Sequence, residues 1–189
     1  MILFVGWIAA AVFGMSGFSS EENDSPGYHI YAHAHNDYEH ERPLLDALDN
    51  RFYSVEADFW LVDDDILISH NRQENRADYK GTLKELYLDP LQKRVDEKGS
   101  VHGDGAPFYL WLDIKDGRDE ARPVLHRLLS QYSMLTVFTD EAIHQRPVVA
   151  ILTGDEQSKK AYVVEYTERY ACRDGDYSED DPPADHRWR

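Results

Sequence analysis

Two apolar runs constrain this chain more than anything else in it. "FYSVEADFWLV" (residues 52–62) and "FYLWLDIK" (residues 108–115) have the aromatic and β-branched character of strands, yet each sets charged groups two positions apart near its C-terminal end. Side chains two apart in a strand share a face. Glu56 and Asp58 therefore point one way while Val55, Ala57 and Phe59 point the other, and Asp113 and Lys115 pair against Leu110, Leu112 and Ile114. The pattern demands a sheet with one apolar face and one face that gathers carboxylates at the strand ends. Barrel and open-sheet α/β enzymes build their sites at those ends.

The rest of the chain alternates strand and helix patterns. Residues 28–33 read as a strand, 43–50 as a helix opened by Pro43, and 63–65 ("DDD") as a turn into a short return at 66–69. Residues 82–98 read as a helix in two pieces, broken near Pro90, and 119–132 as a second long helix. Residues 135–140 and 147–155 read as further strands, and 158–171 as a helix. Alternation of this kind argues an α/β fold with a parallel sheet, either doubly wound or a (β/α) barrel. There is no Gly-rich phosphate loop of the GxGxxG or Walker kind.

Three carboxylates converging on one face repel one another, and a divalent cation removes the conflict. All-oxygen ligation by Glu56, Asp58 and Asp113 suits Mg²⁺ or Ca²⁺ better than zinc. The alternative for each carboxylate is a salt bridge at a strand end. The balance of 36 Asp and Glu against 20 Lys and Arg, a formal net charge of −16, excludes a polyanion-binding face and hence a nucleic-acid partner. An acidic protein still accepts an anionic substrate where a bound cation inverts the local field. The single cysteine, Cys172, permits neither an internal disulfide nor a Cys-based zinc site. His33 ends the first strand and His70 the return after the second. Singly each reads as a cap, but beside a metal they form an acid/base pair, with Lys115 as a point charge for a phosphoryl group.

Taken in order, "HAHN" (33–36), "EAD" (56–58), "SH" (69–70) and "LDIK" (112–115) resemble the PLC-like phosphodiesterases. That superfamily includes the glycerophosphodiester phosphodiesterases and the sphingomyelinase D-type phospholipases. The longer pattern "HNDYEHERPLLDAL…SVEADFWL…ILISH…LYLDPL" is most similar to the branch called altered inheritance of mitochondria protein 6. The resemblance implies a TIM-type (β/α) barrel, a divalent metal on Glu56, Asp58 and Asp113, His33 and His70 as acid and base, and Lys115 near the phosphate. The implied reaction is cleavage of a phosphodiester, on a small molecule or phospholipid head group, with peripheral membrane contact. The pattern departs from the glycerophosphodiesterases, because Ala34-His35 follow His33 and no later Glu-Asn-Thr motif occurs. The sphingomyelinase D-type ligand set is the better match. His35 shares strand parity with His33, so His35 and Asn36 are weaker candidates for substrate contact; Asn36 and Asp37 also suit a turn.

A closed (β/α)₈ barrel takes about 250 residues. The 189 here accommodate about five core strands, so the expectation is an incomplete barrel with a single domain at 26–171 and an irregular polar tail at 172–189. Residues 1–20, apolar and followed by a polar spacer, read as a signal peptide or a membrane anchor, which predicts a secreted, extracytoplasmic or membrane-tethered chain. Two other functional readings stand beside the phosphodiesterase. One is an inactive, truncated remnant that binds lipid head groups or a partner. The other is a zinc amidohydrolase-type enzyme in which His33-x-His35 is a ligand pair, although His126 and His144 match its remaining requirements poorly.

Overall fold

The computed structural model of the protein describes residues 29–175. In chain order the strands and helices are β1 (His29–Ala34), α1 (Leu45–Asp49), β2 (Phe52–Val62), β3 (Asp65–Ile68), α2 (Asp89–Lys98), β4 (Phe108–Ile114), α3 (Ala121–Leu129) and β5 (Val137–Thr139). They continue as β6 (Ile143–His144), β7 (Val148–Gly154), α4 (Glu156–Glu165), β8 (Glu168–Arg169) and β9 (Cys172–Arg173). The main sheet has the order β1-β2-β4-β7-β9, all parallel, with β3 folded back antiparallel on β2. Asp63 and Asp64 make that hairpin with φ of 50° and 63°, the positive pair that a two-residue turn between twisted strands requires.

Each parallel strand is added beside its predecessor, so every crossover steps the same way across the sheet. The mixed α/β architecture with a mainly parallel sheet follows from the alternation in the sequence. Among the described residues β1 and β9 do not pair, and the sheet is open rather than a closed barrel.

One face carries the core. Val55, Ala57, Phe59, Leu110, Leu112, Ile114, Val148, Ala150 and Leu152 are buried there, with α1 and α3 packed on β2 and α4 on β7. The other face holds Ser54, Tyr109, Trp111, Ile151 and Thr153, none of them fully buried, and it runs into the carboxylates. Strand parity alone produces this division.

Three expected elements differ. The run 135–140 does not join the main sheet. Its β5 segment pairs antiparallel with β6 and β8, and only a single bridge from Leu135 reaches Val148. The connection at residues 140–147 is shorter than the dozen or so residues a parallel crossover needs. The helix expected over 158–171 stops at Glu165, and Tyr166 is already extended. Arg169 ends it, donating from Nη1 to the carbonyls of Tyr166 (3.0 Å) and Val163 (3.4 Å) and pairing with Asp140 (3.1 Å). The chain then supplies the fifth parallel strand from Cys172–Arg173, two residues expected to belong to the irregular tail; residues 176–189 of that expected tail lie outside the described residues. The break near Pro90 is a change of helix type. A π-helical turn at Lys84–Leu88 passes into α2, where Pro90, lacking an N–H, occupies the first turn.

One-sided burial predicts unequal effects for neighbours in β4. Leu110→Ala removes a fully buried side chain and costs about 2–5 kcal/mol in urea unfolding. Tyr109→Ala, 37% exposed on the opposite face, costs less than half as much. Equal losses would show that the open face is packed as tightly as the core.

Candidate metal centre

Parallel pairing of β2 with β4 sets Asp58 directly opposite Asp113 and Glu56 opposite Trp111. Shared parity then turns all three carboxylates to the open face at the C-terminal end of the sheet. Glu56, Asp58 and Asp113 each bring an oxygen within 4.8 Å of the others, the one such group of potential ligands among the described residues. The Asp58 side chain is 1% exposed, Glu56 11% and Asp113 15%.

The donor set fits a hard divalent cation. It is all oxygen, and Asp58 Oδ1 is buried without a hydrogen-bond partner. Buried carboxylate oxygens are ordinarily satisfied, so such an atom marks a place where a cation is stabilising. The metal ligands read from the sequence are thus brought together.

Basic groups ring the cluster. Lys115 Nζ lies 2.8 Å from Asp113 Oδ2 and 3.1 Å from Asp58 Oδ2. Burial works to lower the Lys115 pKa, but hydrogen bonds to the two carboxylates outweigh it and hold the ammonium above its ordinary value. His70 Nδ1 lies 2.8 Å from Asp58 Oδ2. Its backbone position is fixed by the end of β3, where Ser69 N–H donates to the Asp58 carbonyl (3.1 Å) and Trp60 Nε1–H to the Ser69 carbonyl (3.0 Å).

His33 stands beside the cluster with Nδ1 2.8 Å from Ser54 Oγ and its ring edge-on to Trp111, centroids 5.9 Å apart. Desolvation lowers its pKa below the ordinary 6.5, even with Glu56 nearby to raise it. His35 Nε2 is 3.2 Å from Glu56 Oε2, although the imidazole is 72% exposed. Asn36 reaches the site through its backbone. Its N–H donates to Glu56 Oε2 (3.2 Å), while its side-chain oxygen accepts from Tyr38 OH (3.0 Å).

That backbone contact requires the loop after β1 to turn sharply. Asn36 takes left-handed φ and ψ of 50° and 43°, which Asn tolerates. Asp37, fully buried, ties the loop down by accepting from Leu44 N–H (2.5 Å) and Tyr87 OH (2.9 Å). The first of these bonds holds Leu44 at a φ of 63°, rare for a leucine. Burial pushes the Asp37 carboxyl up, and the backbone hydrogen bond from Leu44 opposes it. Tyr38, also buried, has its phenol pushed up by desolvation and by Asp58.

Four contributors escaped the sequence reading: Ser54, Tyr38, the Asn36 amide and Gly154. Ser54 was within reach of it, since it lies two before Glu56 on the same face. Gly154, at a φ of 83°, closes β7 against Asp113. A methyl there would stand 2.0 Å from Asp113 Oδ1 and 2.7 Å from both the N and O of Ile114. The zinc reading gains no support, since no histidine belongs to the ligand group. His126 lies on α3, stacked on Tyr166 at 3.8 Å, and His144 on β6.

Ala32, His33, Ser54, Tyr109, Trp111, Ile151 and Thr153 line a groove of about 510 Å³ along the open face, with Glu56 at its edge.

Residues 27–174 match the family model described as the AIM6-like phosphodiesterase domain. Curated relatives include altered inheritance of mitochondria protein 6 from Lachancea thermotolerans, 33% identical over 145 residues, covering 65% of this chain and 33% of that protein. The Eremothecium gossypii protein of the same name is 30% identical over 162 residues, 75% of this chain and 41% of its own length. The homolog from Arthroderma benhamiae is 29% identical over 149 residues, 66% and 47% respectively. The chain therefore spans between a third and about half the length of these relatives. No solved structure matches it.

The relatives' names correct one expectation. They refer to the inheritance of mitochondria, and this overturns the secreted, extracytoplasmic or membrane-anchored destination read from residues 1–20. Those residues lie outside the described part, and no helix among the described residues is long and apolar enough to cross a membrane.

Gly154→Ala tests the support beneath Asp113. Displacing a ligand's support costs about 10–100-fold in metal affinity, and calcium titration of the folded variant should show a loss of that size. Unchanged affinity would remove Asp113 from the ligand set.

Proposed function

The chain belongs to the AIM6-like phosphodiesterase domain family, and from that membership we propose that it cleaves phosphodiesters with a divalent cation, Mg²⁺ or Ca²⁺, held by Glu56, Asp58 and Asp113. The observation that carries this reading is the convergence of those three carboxylates within 4.8 Å at the strand ends, with two imidazoles and a lysine beside them. A cation bound there supplies Lewis-acid stabilisation of the charge that develops on the phosphoryl oxygens.

The protein's own groups divide the proton work. Each histidine has Nδ1 occupied, His33 by Ser54 and His70 by Asp58, which leaves Nε2 of each to face a substrate. His33, kept neutral by desolvation, takes the proton from the attacking oxygen, a water or a hydroxyl of the substrate itself. A phosphorus–oxygen bond forms to that oxygen as the bond to the leaving oxygen breaks. His70 donates its Nε2 proton to the leaving oxygen and is left as a neutral imidazole whose Nδ1–H Asp58 accepts. Lys115 supplies positive charge to the phosphoryl group, and its third N–H remains after the two carboxylates are served.

A phospholipid-like or glycerophosphodiester substrate suits the groove. Its polar end meets the carboxylates, and Tyr109, Trp111 and Ile151 offer apolar and aromatic surface to the group beyond the phosphate. The TIM-type barrel implied by the resemblance would place this groove on its inner wall.

Chelation by EDTA abolishes cleavage of a lysophospholipid or glycerophosphodiester panel, and Glu56→Ala and Asp58→Ala each do the same. His33→Asn keeps calcium binding and loses turnover by about 10²–10⁴-fold. Hydrolysis that survives in all of these overturns the reading, and failure of the wild type to cleave any phosphodiester despite normal metal uptake favours the inactive remnant. The pH profile provides a separate check. Activity needs neutral His33, and its pKa is lowered, so the acidic limb of the profile lies below 6.5. An acidic limb centred above 6.5 contradicts the role given to His33.

A further inference from the structure

We propose that Lys115 is an exchangeable counter-ion for the carboxylate cluster, and that divalent-cation binding drives its ammonium off Asp113 and toward the phosphate. This rests on the metal-dependent reading above and adds a coupling within that site.

The argument turns on which oxygen of Asp113 a cation can use. Asp113 lies on β4, between β2, which carries Glu56 and Asp58, and β7, which carries Gly154. Its Oδ1 is packed against Gly154, only 2.0 Å from where a β-carbon would stand. That oxygen faces β7, away from the two other ligands. Oδ2 is therefore the Asp113 atom that serves a shared centre, and Oδ2 is the atom Lys115 Nζ holds at 2.8 Å. Asp58 is less contested. Its Oδ2 takes both Lys115 (3.1 Å) and His70 (2.8 Å), while its buried Oδ1 has no partner and is available to a cation.

An ammonium and a divalent cation cannot share Asp113 Oδ2 at close range without strong mutual repulsion in a site this sheltered. The cation carries twice the charge and collects three carboxylates, whereas Lys115 meets two. Lys115 is also the group able to move. It is 24% exposed on a flexible four-carbon stem, and Asp58 and Asp113 are fixed in paired strands. Its departure carries a positive charge to the mouth of the site as the cation arrives. Loading of the site and readiness to bind phosphate then become one event.

The test uses the full chain and calcium chloride. Calorimetric titration compares wild type with Lys115→Met, and the variant should bind calcium roughly tenfold or more tightly, because the competing charge is gone. The second measurement needs no variant. Wild-type protein is treated with a small acylating reagent, with and without saturating calcium, and modification of Lys115 is followed by mass spectrometry against Lys84. Lys115 should react several-fold faster with calcium bound. Calcium uptake with no change in Lys115 reactivity overturns the exchange and leaves the metal-dependent reading intact. Failure of wild type to take up calcium or magnesium overturns that reading and the exchange with it.

Discussion

Everything at the working end of this protein depends on three carboxylates held together where water is scarce. Glu56, Asp58 and Asp113 approach within 4.8 Å, and the Asp58 side chain is almost wholly buried. Such a cluster survives folding only if positive charge or donated hydrogen bonds offset its repulsion. The surroundings supply both: the Lys115 ammonium between two of the carboxylates, His70 on Asp58, and His35 with the Asn36 amide on Glu56. Each of these partners also stands beside the groove to which the proposed reaction would bring a phosphodiester. The groups that make the cluster tolerable are those the chemistry would use.

The fold exists to hold that arrangement still. Paired strands fix Asp58 opposite Asp113, a buried apolar face anchors the strands from beneath, and Gly154 leaves just enough room for the Asp113 carboxylate. The loop after β1 is held both by Tyr38 and Leu44, which pack in the core, and by Asp37, whose buried carboxylate bonds to Leu44 and Tyr87 beside the Asn36 amide that reaches Glu56. A site built on strands and clamped by buried hydrogen bonds is more precise than one carried on loops alone. The open face beyond it remains accessible, and its groove gives the site a direction.

Much of this was legible in the residues. The period of two in "VEADF" and "LWLDIK" assigned faces correctly, and the acidic turn at 63–65 returned the chain to set His70 beside Asp58. Register was not legible. Nothing in either strand alone says that Asp58 meets Asp113, because parallel register is set by the crossover between them. Pairing of short segments was equally hidden. The apolar run at 135–140 looked a better strand than "ACR", yet the short connection diverts β5 to a second sheet and Cys172–Arg173 completes the first. The supporting contacts through Ser54, Tyr38 and Gly154 depend on the fold, since a serine, a tyrosine and a glycine have many ordinary uses. The apolar beginning of the chain misled in another way, because it resembles a targeting segment whatever its destination.

The most direct measurement is a crystal soaked in manganese chloride and examined by anomalous scattering. The account predicts one strong peak about 2.0–2.6 Å from oxygens of Glu56, Asp58 and Asp113 together. A peak elsewhere, or none with the three carboxylates intact, would contradict it.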